Sequence, residues 1–174
     1  LAAGALATGY ACSVLEGKRF ALPAILAATL YIFAMNSLNI ASQRRTERYS
    51  DPLRWDFHQR WGAFLVWMGY GALGAGLLLS AWQGAWAFAL MVFATAAGVA
   101  YRLPLIPARW APLLHHHRRL IDISGSKDLF MGLAWAVMLT LFPLKNFTAA
   151  HLIPVGLAFF YVFTLVFIRS VVVD

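Results

Sequence analysis

Three oxygen-bearing side chains, Asn39, Gln43 and Glu47, recur every fourth residue in a stretch that begins among apolar residues and ends among arginines. On a helix advancing about 100° per residue, this spacing keeps all three within about 80° of one face while they climb about 12 Å. They form a ladder of groups able to accept hydrogen bonds or to ligate a hard cation through oxygen. Asp51 follows at the same interval, although Pro52 biases it away from helical conformation. Two readings of the ladder stand at this point. In one, the face is a solvated helix end, with Glu47 in ordinary surface pairs with Arg44, Arg45 and Arg48. In the other it belongs to a site, because Asn36 and Asn39 lie deeper in apolar sequence, where polar groups usually turn toward a bundle interior.

The elements that must carry such a ladder follow from composition. The chain has 174 residues, of which 61% are hydrophobic and 12% charged, and its mean hydropathy is +0.69. That composition excludes an ordinary water-soluble globule. At roughly 20 apolar residues per bilayer crossing, the length suits five or six membrane helices in one domain spanning 1–174. Apolar runs and their polar interruptions place helices at 1–16, 20–48, 58–82, 84–102, 126–143 and 148–172. The runs are too long for strands and lack period-2 alternation, so the expected class is all-α, a polytopic transmembrane helix bundle of about six helices. The chain opens at Leu1 with no basic leader, and residues 1–16 read as the second half of a membrane helix rather than as a signal peptide.

Charge sets the expected orientation. Because helices alternate in direction, the long connections at 49–57 and 103–125 and the end of the sixth helix share one side. Arg44, Arg45, Arg48, Arg54, Arg60, Arg102, Arg109, Arg118, Arg119, Lys127 and Arg169 fall there, 11 of the 14 basic residues, against Lys18, Arg19 and Lys145 opposite. The positive-inside rule makes the long-loop side cytoplasmic. The formal net charge of +7 thus needs no nucleic-acid partner, and anionic membrane lipids are the expected neighbours of the basic loops. Trp82 and Trp86 at a short hairpin, and Trp55, Trp61 and Trp110 near the long loops, read as interfacial aromatics.

Other residues that invite chemistry read as structural. Cys12 has apolar neighbours and reads as a packing residue. His115, His116 and His117 are consecutive, so they point in different directions and do not converge on one ion; they read as a solvated loop feature. His58 stands beside Asp56 and Arg60 as a surface pair, and His151 lies on the opposite side from the ladder. Gly69, Gly71, Gly74 and Gly76 read as close-packing positions for neighbouring helices. Phe159, Phe160, Phe163 and Phe167 read as lipid-facing, with the lining of an apolar tunnel as the alternative. Ser124-Gly125-Ser126-Lys127-Asp128 opens the fifth helix, where free N–H groups and the helix dipole favour an anion beside Lys127. Asp128 reads either as a first-turn charge or as a partner of Lys127.

The stretch from Asn39 to Arg54 resembles the first signature of the UbiA superfamily of intramembrane prenyltransferases, Asn-xxx-Asp-xxx-Asp followed by an acidic residue, Pro, x and Arg. Asn39 matches the Asn, Gln43 and Glu47 stand at the two Asp positions, and Asp51-Pro52-Leu53-Arg54 matches the tail. Gln43 is the departure, since it has lost the charge. Tyr101-Arg102-Leu103-Pro104 is similar to the family's Tyr-Ser-x-Pro-like turn after the fourth helix. The resemblance implies a nine-helix enzyme of which this chain carries about the first six helices, the first partial. The family's second acidic signature would begin near Asp174.

What the resemblance implies is transfer of an isoprenoid chain from a polyprenyl diphosphate to a lipophilic or aromatic acceptor, assisted by Mg²⁺. Such an ion takes oxygen ligands and bridges phosphate oxygens as the leaving group departs. Asn39, Gln43 and Glu47 would form the catalytic metal ladder, with Asp51 and Asp174 as further metal ligands. Arg54, Arg118, Arg119, Lys127 and Tyr101 would contact the diphosphate, with Tyr101 alternatively facing a carbocation or sitting at the interface. Loss of one carboxylate at Gln43 would weaken Mg²⁺ binding, and the 174 residues alone are expected to be inactive. Two other readings are a non-catalytic relative that binds lipid or isoprenoid diphosphate, and a small membrane transport or scaffold protein. In a full-length version, Glu47→Gln should abolish Mg²⁺-dependent transfer of a prenyl group, and Gln43→Asp should tighten Mg²⁺ binding, both read by titrating the metal against turnover. Unchanged turnover in Glu47→Gln removes that residue from the site.

Overall fold

A computed structural model of the chain describes residues 2–15, 21–42, 52–101, 103, 120, 125–144 and 152–173. Among these, every extended element is helical. In chain order they are α1 (Ala2–Leu15), α2 (Leu22–Ser42), α3 (Pro52–Gln83), α4 (Ala85–Ala100), α5 (Ser126–Ala136) and α6 (Leu152–Val173). A π turn, Val137–Leu141, continues α5.

Boundaries differ from the sequence expectation where polarity was taken for a break. The helix expected at 58–82 begins at Pro52, so residues 52–57 of the expected loop at 49–57 form its first turn and a half. Proline is well suited to the first helical position, where its missing N–H has no intrahelical partner in any case, and nothing in Leu53-Arg54-Trp55-Asp56-Phe57 opposes helix. The helix expected at 126–143 loses its α pattern at Val137, where the Phe142 N–H reaches the Val137 carbonyl at 3.2 Å, an i to i+5 bond. Between α3 and α4 the whole connection is Gly84, at φ 121° and ψ 172°. That backbone region is open essentially to glycine alone, which is why two helices can be joined by a single residue here. Trp82 and Trp86 flank it and are exposed.

Helix α2 is the centre of the bundle. Ala24, Ile25, Ala27, Ala28, Tyr31, Ile32 and Ala34 are all buried, with α1, α3 and the π turn packed around them. Its most extensive partner is α3, which runs antiparallel to it. A Cβ on Gly69 would lie 3.3 Å from Leu38 Cγ and 3.5 Å from the Ala34 carbonyl, and one on Gly76 would lie 3.6 Å from the Ala27 carbonyl. Seven residues apart, these glycines share a face, and their lack of side chains lets the two backbones approach closely. Gly71 and Gly74 lie roughly 140° or more around the helix from Gly69 and meet open space, so the expected packing role is corrected for those two. Helices α5 and α6 also run antiparallel, with Gly132 against Phe163. Cys12 is buried in the core, as its apolar neighbours require.

Among the described residues, two helices are long and apolar enough to cross a membrane: Gln59–Gln83, of 25 residues, and Leu152–Val172, of 21. The shorter apolar helices are Ala3–Leu15, Leu22–Leu38 and Ala85–Ala100. Large apolar side chains crowd the outer faces. Trp67 is 76% exposed, Leu78 75%, Phe93 70% and Phe160 71%.

The close α5–α6 approach yields a test. A Cβ on Gly132 would sit 3.2 Å from the Phe163 carbonyl oxygen, a backbone atom that cannot move aside alone. Gly132→Ala should therefore cost about 1–3 kcal/mol, while Gly71→Ala, in open space, should be neutral or stabilising by up to about 1 kcal/mol. Thermal denaturation in detergent would read both.

Candidate functional site

Where α2, the end of α4 and the start of α5 converge, they line a half-open cavity of about 60 Å³. From α2 come Tyr31, Ile32, Met35 and Asn36; from α4 and the residue after it, Gly98 and Tyr101; from α5, Lys127, Phe130, Met131, Ala134 and Trp135. Lys127, Phe130, Met131 and Ala134 follow the i, i+3, i+4, i+7 rule, so a single stripe of α5 forms one wall. Space on the α4 side depends on Gly98, where a Cβ would lie 3.0 Å from the Met35 sulfur. The Tyr31 hydroxyl donates to the Ala94 carbonyl at 2.9 Å, tying the middle of α2 to α4 beneath the cavity. The lining is thus mostly apolar and aromatic, with the Asn36 amide, the Tyr31 and Tyr101 phenols, the Trp135 indole and the Lys127 ammonium as its polar groups. Such a wall accommodates an apolar group while a few placed polar atoms orient its head.

Tyr101 is buried, and its ring stacks on Phe130 at a centroid distance of 4.5 Å and an angle of 13°. The Tyr101 hydroxyl lies 2.9 Å from Ser126 Oγ, and Ser126 Oγ donates to the Leu120 carbonyl at 2.6 Å. A serine hydroxyl has one proton. With that proton engaged by Leu120, the shared bond must run from Tyr101 to Ser126, and the phenol oxygen keeps only its lone pairs for other contacts. Tyr101 in this state cannot also donate to a phosphate oxygen.

Asp128, in the first turn of α5, receives a hydrogen bond from the Ser170 hydroxyl of α6. Of the two roles the sequence left open, this places it in the first turn with its carboxylate engaged by a neighbouring helix. The cap of α5 is Gly125 at φ 76°, a left-handed conformation that glycine adopts without strain, and no side chain caps the helix.

The sequence candidates are distributed as follows. Tyr101 and Lys127 share the cavity, together with Asn36. Asn39 lies on the α2 backbone three residues beyond Asn36, and Arg54 on the first turn of α3; their side chains fall outside the described residues. Gln43, Glu47, Asp51, Arg118, Arg119 and Asp174 also lie outside the described residues, as do His115, His116, His117 and His151. Among the described residues no three His, Cys, Asp or Glu side chains come together. The described carboxylate closest in sequence to the cavity lining, Asp128, is turned to Ser170, so the cavity walls do not by themselves form a magnesium site. Phe159, Phe160, Phe163 and Phe167 line no part of the cavity: Phe160 faces outward, and Phe163 packs on Gly132 and stacks with Phe167 at 5.8 Å.

Sequence reasoning did not single out Ser170, Phe130, Met35 or Gly98. Ser170 did carry a signal, a lone hydroxyl in an apolar helix end facing an acid in a helix start. The others carry none without the packing. At the opposite end of the bundle a larger hollow, about 430 Å³, is edged by Pro23, Trp82, Trp86, Phe142 and Leu144. Its polar group Gln83 already donates to the Pro23 and Leu79 carbonyls at 3.2 and 3.1 Å.

Comparison with known protein families, with curated proteins and with solved structures finds no match to this chain.

The Tyr101–Ser126–Leu120 chain predicts a specific sensitivity. Ser126→Ala removes both of its bonds and should lower stability by about 1–3 kcal/mol, whereas Ser126→Thr, which keeps the hydroxyl, should retain most of it. Thermal melting of the two variants side by side would check this.

Proposed function

We propose that this chain is a multi-pass integral membrane protein of prenyltransferase type, which holds a polyprenyl diphosphate with its charged head at the cavity between α2, α4 and α5. In this reading the arginine-rich connections face the cytoplasm. The observation that carries it is the meeting of Lys127, Tyr101 and Asn36 on one largely apolar cavity, at the end of α2 that leads through Asn39 to Gln43 and Glu47. The exposed apolar faces of α3, α4 and α6 support the membrane setting, because water would expel them and lipid does not.

Size narrows which part of the ligand the cavity takes. A site for one water needs roughly 10–15 Å³ on this measure, so about 60 Å³ admits the reacting end of an isoprenoid and not a long chain. The tail would lie among the bilayer lipids. In the reaction, the bond from the allylic carbon to the diphosphate oxygen breaks with its electron pair leaving on the diphosphate. A carbon of the acceptor ring bonds to the allylic carbon, and the proton that this ring carbon gives up passes to the departing diphosphate. Lys127 offsets the charge that collects on the leaving group. The Tyr101 proton is engaged by Ser126, so the phenol is not the proton donor to the leaving group. Mg²⁺ belongs to this proposal through Asn39, Gln43 and Glu47 and would share the diphosphate charge when bound.

Gln43, neutral where the resembled signature is acidic, favours a second reading in which the head is bound without turnover. Binding of a non-hydrolysable farnesyl thiodiphosphate to the full-length protein in detergent separates the two. Lys127→Ala should weaken binding about tenfold or more in either reading. Binding that also requires Mg²⁺ and Glu47 supports the enzyme, and binding that requires neither supports the lipid-diphosphate carrier. Affinity unaffected by Lys127→Ala would overturn the placement of the head.

A further inference from the structure

Ser126, Lys127 and Asp128 are consecutive, and successive helical side chains diverge by about 100°. They accordingly address three neighbours. Ser126 meets Tyr101 after α4, Lys127 lines the cavity, and Asp128 meets Ser170 of α6. Asp128 and Gly132 stand one turn apart on the face of α5 that packs against α6. Gly132, against the ring and carbonyl of Phe163, sets how close α5 and α6 come, but non-directional contact resists rotation of a helix less than a directional bond does. The Asp128–Ser170 bond is directional and made to a charged group, the stronger kind, and Ser170 is itself buried.

We propose that Asp128 is a positioning residue: by holding Ser170 it fixes the rotation of α5 that aims Lys127 into the cavity, and so sets the affinity of that cavity for an anionic diphosphate head. The proposal rests on the reading of Lys127 as a diphosphate contact. It makes a prediction opposite in sign to simple electrostatics. A carboxylate next to an ammonium should repel an anion, so on charge alone removing Asp128 tightens binding. If Asp128 acts by positioning, removing it weakens binding.

The experiment uses the full chain in detergent, with non-hydrolysable farnesyl thiodiphosphate and, separately, inorganic diphosphate as probes. The variants are Ser170→Ala, Ser170→Thr, Asp128→Ala, Lys127→Ala and the double variant Ser170→Ala with Lys127→Ala. Ser170→Ala and Asp128→Ala should each weaken binding about tenfold, and Ser170→Thr, which restores the hydroxyl, should recover it. In the Lys127→Ala background the Ser170→Ala change should shift affinity by less than about twofold, because no ammonium remains to be aimed.

Equal losses in both backgrounds would reveal a purely structural bond and overturn the proposal, as would tighter binding in Asp128→Ala. A tenfold loss in Lys127→Ala with none in Ser170→Ala would overturn the positioning role while leaving the diphosphate reading intact. No loss in Lys127→Ala would overturn the diphosphate reading and the proposal with it. Should Ser170→Ala fail to fold, Asp128→Asn keeps an acceptor for Ser170, and its rescue of affinity relative to Asp128→Ala makes the same comparison.

Discussion

Close approach of α2 and α3, made possible by missing side chains, is the constraint on which the rest of this bundle depends. Gly69 and Gly76 bring the α3 backbone against Ala27, Ala34 and Leu38 of α2. At this separation the two surfaces fit closely, and many small van der Waals contacts add up between them. With α3 drawn in on one side, α2 also packs against α1 and the π turn. Tyr31, buried at the centre, reaches across to the Ala94 carbonyl and fixes where α4 runs. The cavity is what remains between α2, α4 and α5 once these approaches are set.

Polar groups in the bundle divide into two kinds. Thr29, Thr95 and Thr140 bond to carbonyls four residues back in their own helices, and Ser80 to one three back, so they are satisfied locally and impose nothing on their neighbours. Tyr31, Tyr101, Ser126, Asp128 and Ser170 instead bond between elements. These tertiary bonds bracket the cavity, one beneath it and the rest around the start of α5. In surroundings with little water, an unmade bond of this kind is costly, so they specify the relative rotation of helices that apolar packing alone leaves loosely defined.

The π turn in α5 belongs to the same logic. From Ser126 to Ala136 the helix presents one face to the cavity and another to α6, and from Val137 the wider turn shifts that register, with Met138, Leu139 and Thr140 buried against α1 and α6. One helix thereby serves two sets of neighbours at its two ends. Without the insertion, the stripe that starts at Lys127 would continue unchanged past Leu141.

The sequence by itself determined the all-helical class and the approximate extents of the elements, because apolar runs of this length have one economical way to satisfy their backbone. It also marked Lys127 at a helix start and Tyr101 at a helix end, since Gly125 and the break after Tyr101 are written in local residue types. It misjudged the start of α3, because Arg54 and Asp56 are polar without being helix-breaking, and it had no means of finding the π turn, whose cause lies in packing. That Gly69 and Gly76 pack while Gly71 and Gly74 do not follows from which face meets α2, and periodicity alone cannot choose a face. Only tertiary structure brought Asn36, Tyr101 and Lys127 to one cavity, engaged the Tyr101 proton with Ser126, and turned Asp128 to Ser170. Those outcomes depend on the rotation and depth of one helix against another, and such relations are set by contacts between residues far apart in the chain.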